Sequence, residues 1–110
     1  MHLREQIAPD TLLSWLVMLR PAAAGGAVRV WDLRFAALGA GHFHRGHTAA
    51  EGLLHGRAFT DLTPPAGALL VFDGGRNVHA VTPVEGPRCR WTMGGFLARR
   101  RDAPGWWAWA

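Results

Sequence analysis

From Ala27 to the C-terminal residue, glycine, proline and aspartate break the chain every few residues, and the pieces between them are short and rich in Val, Leu, Phe, Thr and Trp. Such punctuation leaves room for strands and little for helices. The pieces that fit strands are "AVRVWDLRFAAL", "GHFH", "GRAFTDL", "GALLVF", "NVHAVTPV" and "RCRWTMGGFLA", with turns at "GAG", "TPPAG", "DGG" and "VEGP". Strands this brief favour an antiparallel sandwich or barrel over a parallel sheet with crossover helices. Ahead of them, Asp10 or Thr11 is placed to cap a helix over "TLLSWLVMLR". Its Leu12, Trp15, Leu16 and Leu19 share one helical face, and Pro21 stops it. The 110 residues fit one domain. Residues 1–26 are its helix and a flexible linker, "PAAAGGA", and residues 27–110 are a β core with a Trp-rich tail.

The longest apolar run, Leu12 to Leu19, is far short of the ~20 residues a membrane helix needs. The opening "MHLREQ" imitates a signal peptide, but Glu5, Asp10 and Arg20 interrupt the required pattern, so a cytoplasmic setting is expected. Cys89 is the only cysteine, which excludes an intrachain disulfide and fits that setting. A sequence pI near 11.3 raises the question of nucleic acid. All 12 basic residues are arginine, however, and only Arg99 to Arg101 form a cluster. The excess is compositional, and no nucleic-acid partner is expected. In the tail "WWAWA", Trp107 and Trp109 fall on one side of an extended chain. They cap the barrel or cover the N-terminal helix, or form the contact of a homodimer.

The chemistry-bearing residues are histidines and one arginine. His42 and His44, in "GHFH", share one face of a strand because side chains alternate with period two. Two imidazoles on one strand face, joined by a third from a distant strand, make a facial metal site with positions open for substrate. His79, in "VHAVTPV", is the natural third; solvent-facing loop histidines are the duller account of "HFHRGH". Glu51, four residues after His47, is a further carboxylate. Asp32 on "VWDLRF" has Arg34 as its structural partner. Pro83 and Pro87 remove two backbone donors after His79, and Gly86 permits a sharp turn, so the chain changes sheets there. His79 and Arg88 then face each other across an interior about 10 Å thick. That gap suits a metal on one end of a small dicarboxylate and a guanidinium fork on the other. Thr92 has the strand parity of Arg88 and Arg90, and its hydroxyl is placed to help hold the carboxylate. Arg45, Arg57 and Arg90 are further arginines for an anionic substrate, with solvent exposure as their plainer explanation.

The segment "PAGALLVFDGGRNVHAVTPVEGPRCRWTMGGF", Pro65 to Phe96, resembles the C-terminal half of the non-haem Fe(II)/2-oxoglutarate-dependent oxygenases, closest to the prolyl-hydroxylase-like branch and the related amino-acid hydroxylases and halogenases. The shared features are a Pro-x-x-Gly turn or its near relative, here "PAG", an apolar strand ending in Phe, His-x-Val-x-Pro-Val, and an Arg about nine residues after the His. The resemblance implies a small double-stranded β-helix, of jelly-roll or cupin-like form. It implies Fe(II) and 2-oxoglutarate as cofactors, His79 as the distal iron ligand, and Arg88, with Thr92, on the far carboxylate of 2-oxoglutarate. An oxidation of a small-molecule or amino-acid-derived substrate would follow. The family's His-x-Asp or His-x-Glu pair is missing from this sequence, so His42 and His44 stand as the other ligands, unless a partner chain completes the site. "HFH", Glu51 and His79 also resemble the ligand order of cupins, metalloproteins that do not use 2-oxoglutarate. The remaining alternative is a β-helix domain kept as a non-catalytic binding or subunit module.

Overall fold

The apolar run from Leu12 to Leu19 is a strand, not the helix its spacing suggests. A continuous apolar stretch fits a central strand covered on both faces as well as it fits a buried helix. Here sheet pairing decides the matter. Strand β1 (Leu13–Arg20) lies in the middle of a four-stranded antiparallel sheet, between β10 (Trp91–Arg99) and β7 (Leu69–Phe72), with β11 (Trp106–Trp109) beyond β10. Thr11 caps no helix. It closes a 3-10 turn at Pro9–Thr11 by donating to the carbonyl of Ala8 at 2.6 Å, and its hydroxyl accepts from the backbone N–H of Arg99 at 2.9 Å. The chain's four-residue α1 (Leu3–Gln6) lies before this turn. In this computed structural model residues 3–38, 43–44, 48–49 and 51–110 are described.

A second sheet stacks β3 (Val28–Arg34) between β6 (Phe59–Leu62) and β8 (Asn77–Val81), again antiparallel. Two short ladders complete the fold. β2 (Ala24–Gly25) pairs with β9 (Val84–Glu85), and β4 (Phe43–His44) pairs with β5 (Thr48–Ala49). The mainly β, antiparallel architecture read from the turn spacing is therefore present, consistent with the jelly-roll-like form that the resemblance implies. The "PAAAGGA" stretch is not a loose linker: it contains β2, and Gly26 donates its backbone N–H to the carbonyl of Pro83 at 3.0 Å. No described helix is long and apolar enough to cross a membrane.

Register sorts the side chains into rows, because residues directly opposite one another share a face. On the inner face of the four-stranded sheet, Phe72, Ser14, Phe96 and Trp109 form one row, and Leu70, Leu16 and Gly94 the next. On the facing three-stranded sheet the corresponding rows are Leu62–Val28–Val81 and Thr60–Val30–His79. Met18 and Val28, each 2% exposed, anchor the core between them. The Trp-rich tail supplies an edge strand, and Trp109 packs on Phe96 with ring centroids 5.7 Å apart. The outer face of the same sheet is apolar and open: Leu69, Val71, Trp91, Met93 and Trp106 are each between 45% and 62% exposed.

Outside the interior, the charge that matters is one pair. Arg29 donates from Nε and Nη2 to the two carboxylate oxygens of Asp61, both at 2.7 Å, and lies 3.8 Å over the ring of Phe59. These hydrogen bonds hold the Asp61 carboxyl below the usual carboxylate range and raise the Arg29 guanidinium above its usual value. Asp32 and Arg34, expected to partner each other, are both exposed and form no ion pair with one another.

Candidate functional site

His79 sits in mid-strand on β8, opposite Val30, with its side chain on the inner face. Its ring is half-buried between two phenylalanines. Phe72 meets it edge-on at 5.2 Å and 74°, and Phe35 at 6.4 Å and 82°. Nδ1 lies 2.9 Å from the carbonyl oxygen of Asn77. A carbonyl only accepts, so in this contact Nδ1 donates and Nε2 is the ring nitrogen left to face the cavity side. A histidine held in this tautomer is prepared to ligate a metal through Nε2.

Around it lies a cavity of about 310 Å³ between the two sheets. Ser14, Leu16, Phe72 and Phe96 line it from the four-stranded sheet, and Val28, His79 and Val81 from the other. Its wall is mainly hydrocarbon, with the imidazole and the Ser14 hydroxyl as polar groups; Ser14 is 8% exposed.

The sheet change after His79 is real: β8 belongs to the three-stranded sheet and β10 to the four-stranded one, with β9 paired to β2 between them. Arg88, however, is exposed in the bend at residues 86–88 that precedes β10, and makes no hydrogen bond or ion pair among the described residues. Two residues on, Arg90 has the parity that the fold turns inward. Thr92 lies opposite the buried Met18, and Nη1 of Arg90 reaches its hydroxyl at 3.5 Å. Arg90 Nε and Nη2 are buried without a hydrogen-bond partner among the described residues. Burial lowers the Arg90 pKa from its ordinary value. Two buried guanidinium donors without partners, beside a hydroxyl, are a donor set of the kind an oxyanion accepts from. Sequence spacing pointed to Arg88 because it lies closer to the expected distance from His79. Arg90 and Thr92 stand at Arg-x-Thr spacing in the sequence.

His42 and His47 lie outside the described residues, as does the side chain of Glu51. For His44 the structure describes a strand position, opposite Thr48. Among the described residues no group of three or more His, Cys, Asp or Glu side chains could hold a metal ion.

The family model for the carrier-protein-independent halogenase WelO5 matches residues 1–110. The chain belongs to the WelO5 halogenase family. A similar fold occurs in the crystal structure of a novel N-substituted L-amino acid dioxygenase in complex with alpha-KG from Burkholderia ambifaria AMMD, with a TM-score of 0.65 and 26% sequence identity. That match covers 90% of this chain and 39% of the dioxygenase, so the WelO5-family chain spans about two-fifths of that protein's length. No curated protein sequence matches it significantly. The resemblance to Fe(II)/2-oxoglutarate oxygenases, read first from Pro65 to Phe96, is thus borne out by a WelO5 family match over the full 110 residues.

Proposed function

We propose that the protein works as an Fe(II)- and 2-oxoglutarate-dependent oxygenase-like enzyme on a small, largely apolar substrate. Two observations in one fold support this reading: a half-buried His79 whose Nδ1 donates to the Asn77 carbonyl, and an Arg90 whose Nε and Nη2 are buried without a partner among the described residues. His79 supplies one iron ligand, and His42 and His44 are the proposed others. Bound there, iron and 2-oxoglutarate supply the oxidising chemistry.

The chain's own residues do the rest. Arg90 and Thr92, taking the role the sequence suggested for Arg88 and Thr92, hold the distal carboxylate of 2-oxoglutarate through the guanidinium fork and the hydroxyl. Phe72 and Phe35 fix the plane of the His79 ring, and the Asn77 carbonyl fixes its tautomer. Leu16, Val28, Val81 and Phe96 present an apolar wall to the substrate, and Ser14 offers it one hydroxyl. The N-substituted amino acid handled by the Burkholderia dioxygenase marks the size class, an amino-acid-derived molecule, that a cavity of about 310 Å³ accommodates.

Anaerobic titration of Fe(II) into the metal-free protein, with and without 2-oxoglutarate, tests the reading. The expected result is stoichiometric iron uptake, a visible charge-transfer band on adding the keto acid, and loss of both in His79→Ala. Uptake without the band moves the assignment to a cupin-like metalloprotein. No uptake under either condition rejects an enzyme and leaves a binding or subunit module.

A further inference from the structure

The glycine pair in "PAAAGGA" belongs to no motif singled out in the sequence, yet it lies directly against Arg90. Gly25 and Gly26 have φ of +66° and +67°, in the left-handed region that side-chain-bearing residues rarely adopt. Gly25 is fixed by the backbone: a Cβ there would collide with the carbonyl oxygen of Pro83. At Gly26 the obstruction is different. A Cβ would come within 2.9 Å of Cδ in the Arg90 stem, 3.2 Å from Cγ2 of Val84 and 3.5 Å from Cβ of Ala22. Val84 and Ala22 hem the position in on their sides, so the Arg90 side chain is the part able to give way. Gly26 is itself buried and tied to Pro83, so it cannot retreat.

We infer that Gly26 is a positioning residue for the carboxylate anchor: its missing side chain leaves the groove in which the Arg90 stem lies, and so sets where the guanidinium meets its anion. The inference rests on the Arg90 role proposed above. A bidentate contact tolerates little displacement, because two parallel N–H···O bonds must form at once. A methyl group at residue 26 therefore weakens anion binding, while the atoms nearest to it belong to Arg90, Val84 and Ala22 and not to His79.

The test is calorimetric titration of 2-oxoglutarate into the anaerobic, Fe(II)-loaded protein, with iron affinity and thermal midpoint measured in parallel. Gly26→Ala is expected to weaken 2-oxoglutarate by about tenfold or more with iron affinity unchanged. Gly86→Ala is the strain-matched control: φ is +82° on the same β2–β9 unit, and a Cβ there would meet Ala23 at 3.2 Å but not Arg90. It is expected to lose stability and keep 2-oxoglutarate affinity within about twofold. Gly26→Asn serves if Gly26→Ala does not fold, since Asn tolerates positive φ and still carries the Cβ. Equal affinity in the Gly26 and Gly86 variants overturns the positioning role while Arg90→Met still loses 2-oxoglutarate. Should Arg90→Met bind as tightly as wild type, or wild type not bind at all, the anchor reading itself fails and takes this inference with it.

Discussion

Replacing Arg90 with Met separates the anchor from its neighbour Arg88 and makes an unusual pair of predictions. Met keeps most of the stem's length and removes the guanidinium. In the ligand-free protein, Arg90 Nε and Nη2 are buried without partners among the described residues. A stranded buried donor costs about 1–3 kcal/mol, and the cost is smaller where water reaches in, as it does beside this partly exposed side chain. Arg90→Met should therefore leave the ligand-free protein as stable as wild type, or more stable by about 1 kcal/mol, seen in urea unfolding. With 2-oxoglutarate the sign reverses. Two charge-assisted hydrogen bonds at about 1.5–3 kcal/mol each are lost, of which a net 3 kcal/mol or so is about a hundredfold in affinity. Arg88, exposed in the bend before β10, should change neither quantity by more than about twofold when replaced by Met. Calorimetry with Fe(II)-loaded protein reads the affinity. An Arg88→Met variant that loses 2-oxoglutarate, beside an Arg90→Met variant that keeps it, would refute the assignment of the anchor to the inward-facing arginine.

Three further outcomes follow from the fold. Met18→Ala, at a side chain 2% exposed beneath Thr92, should cost about 2–5 kcal/mol in denaturant unfolding, whereas Leu19→Ala at the 52% exposed neighbour should stay within about 0.5 kcal/mol. Because the hydrogen bonds from Arg29 lower the Asp61 pKa in the folded state, the pair's stabilisation is complete above the unfolded carboxylate value of about 3.9 and is lost as pH falls through the folded one. The stability difference between wild type and Asp61→Asn should thus be constant from pH 5 to pH 7 and fade in acid below about pH 4; a difference unchanged down to the lowest pH at which both remain folded would show that the pair does not act through ionisation. On the open outer face, Leu69→Lys with Met93→Lys should reduce binding of an apolar dye and self-association in sedimentation, with the thermal midpoint within a few degrees of wild type, since 62% and 54% exposed side chains contribute little to the core.

What the sequence made legible, and what it hid, divides along one physical line. Turn chemistry is local, so the Gly, Pro and Asp punctuation marked β3, β6, β7, β8 and β10 in the right places, and Pro83 to Pro87 marked the change of sheet. The stretch before Ala27 misled because its outcome is decided by partners far away in the chain. Leu13 to Arg20 becomes a strand only because β7 and β10 offer it edges on both sides. The "flexible" Gly25 and Gly26 are ordered only because Pro83 and Val84 return beside them. The site shows the same division. His79 was visible from its strand and its motif. Which of Arg88 and Arg90 lies nearer the sheet was not, since that depends on how the chain bends between Gly86 and Trp91. Parity does not separate them: Arg88, Arg90 and Thr92 lie two residues apart and would share one face of a continuous strand. Arg88 would share that face only if the strand began four residues before Thr92, directly after Pro87. The strand instead starts at Trp91, with Arg90 immediately before it and Arg88 in the bend.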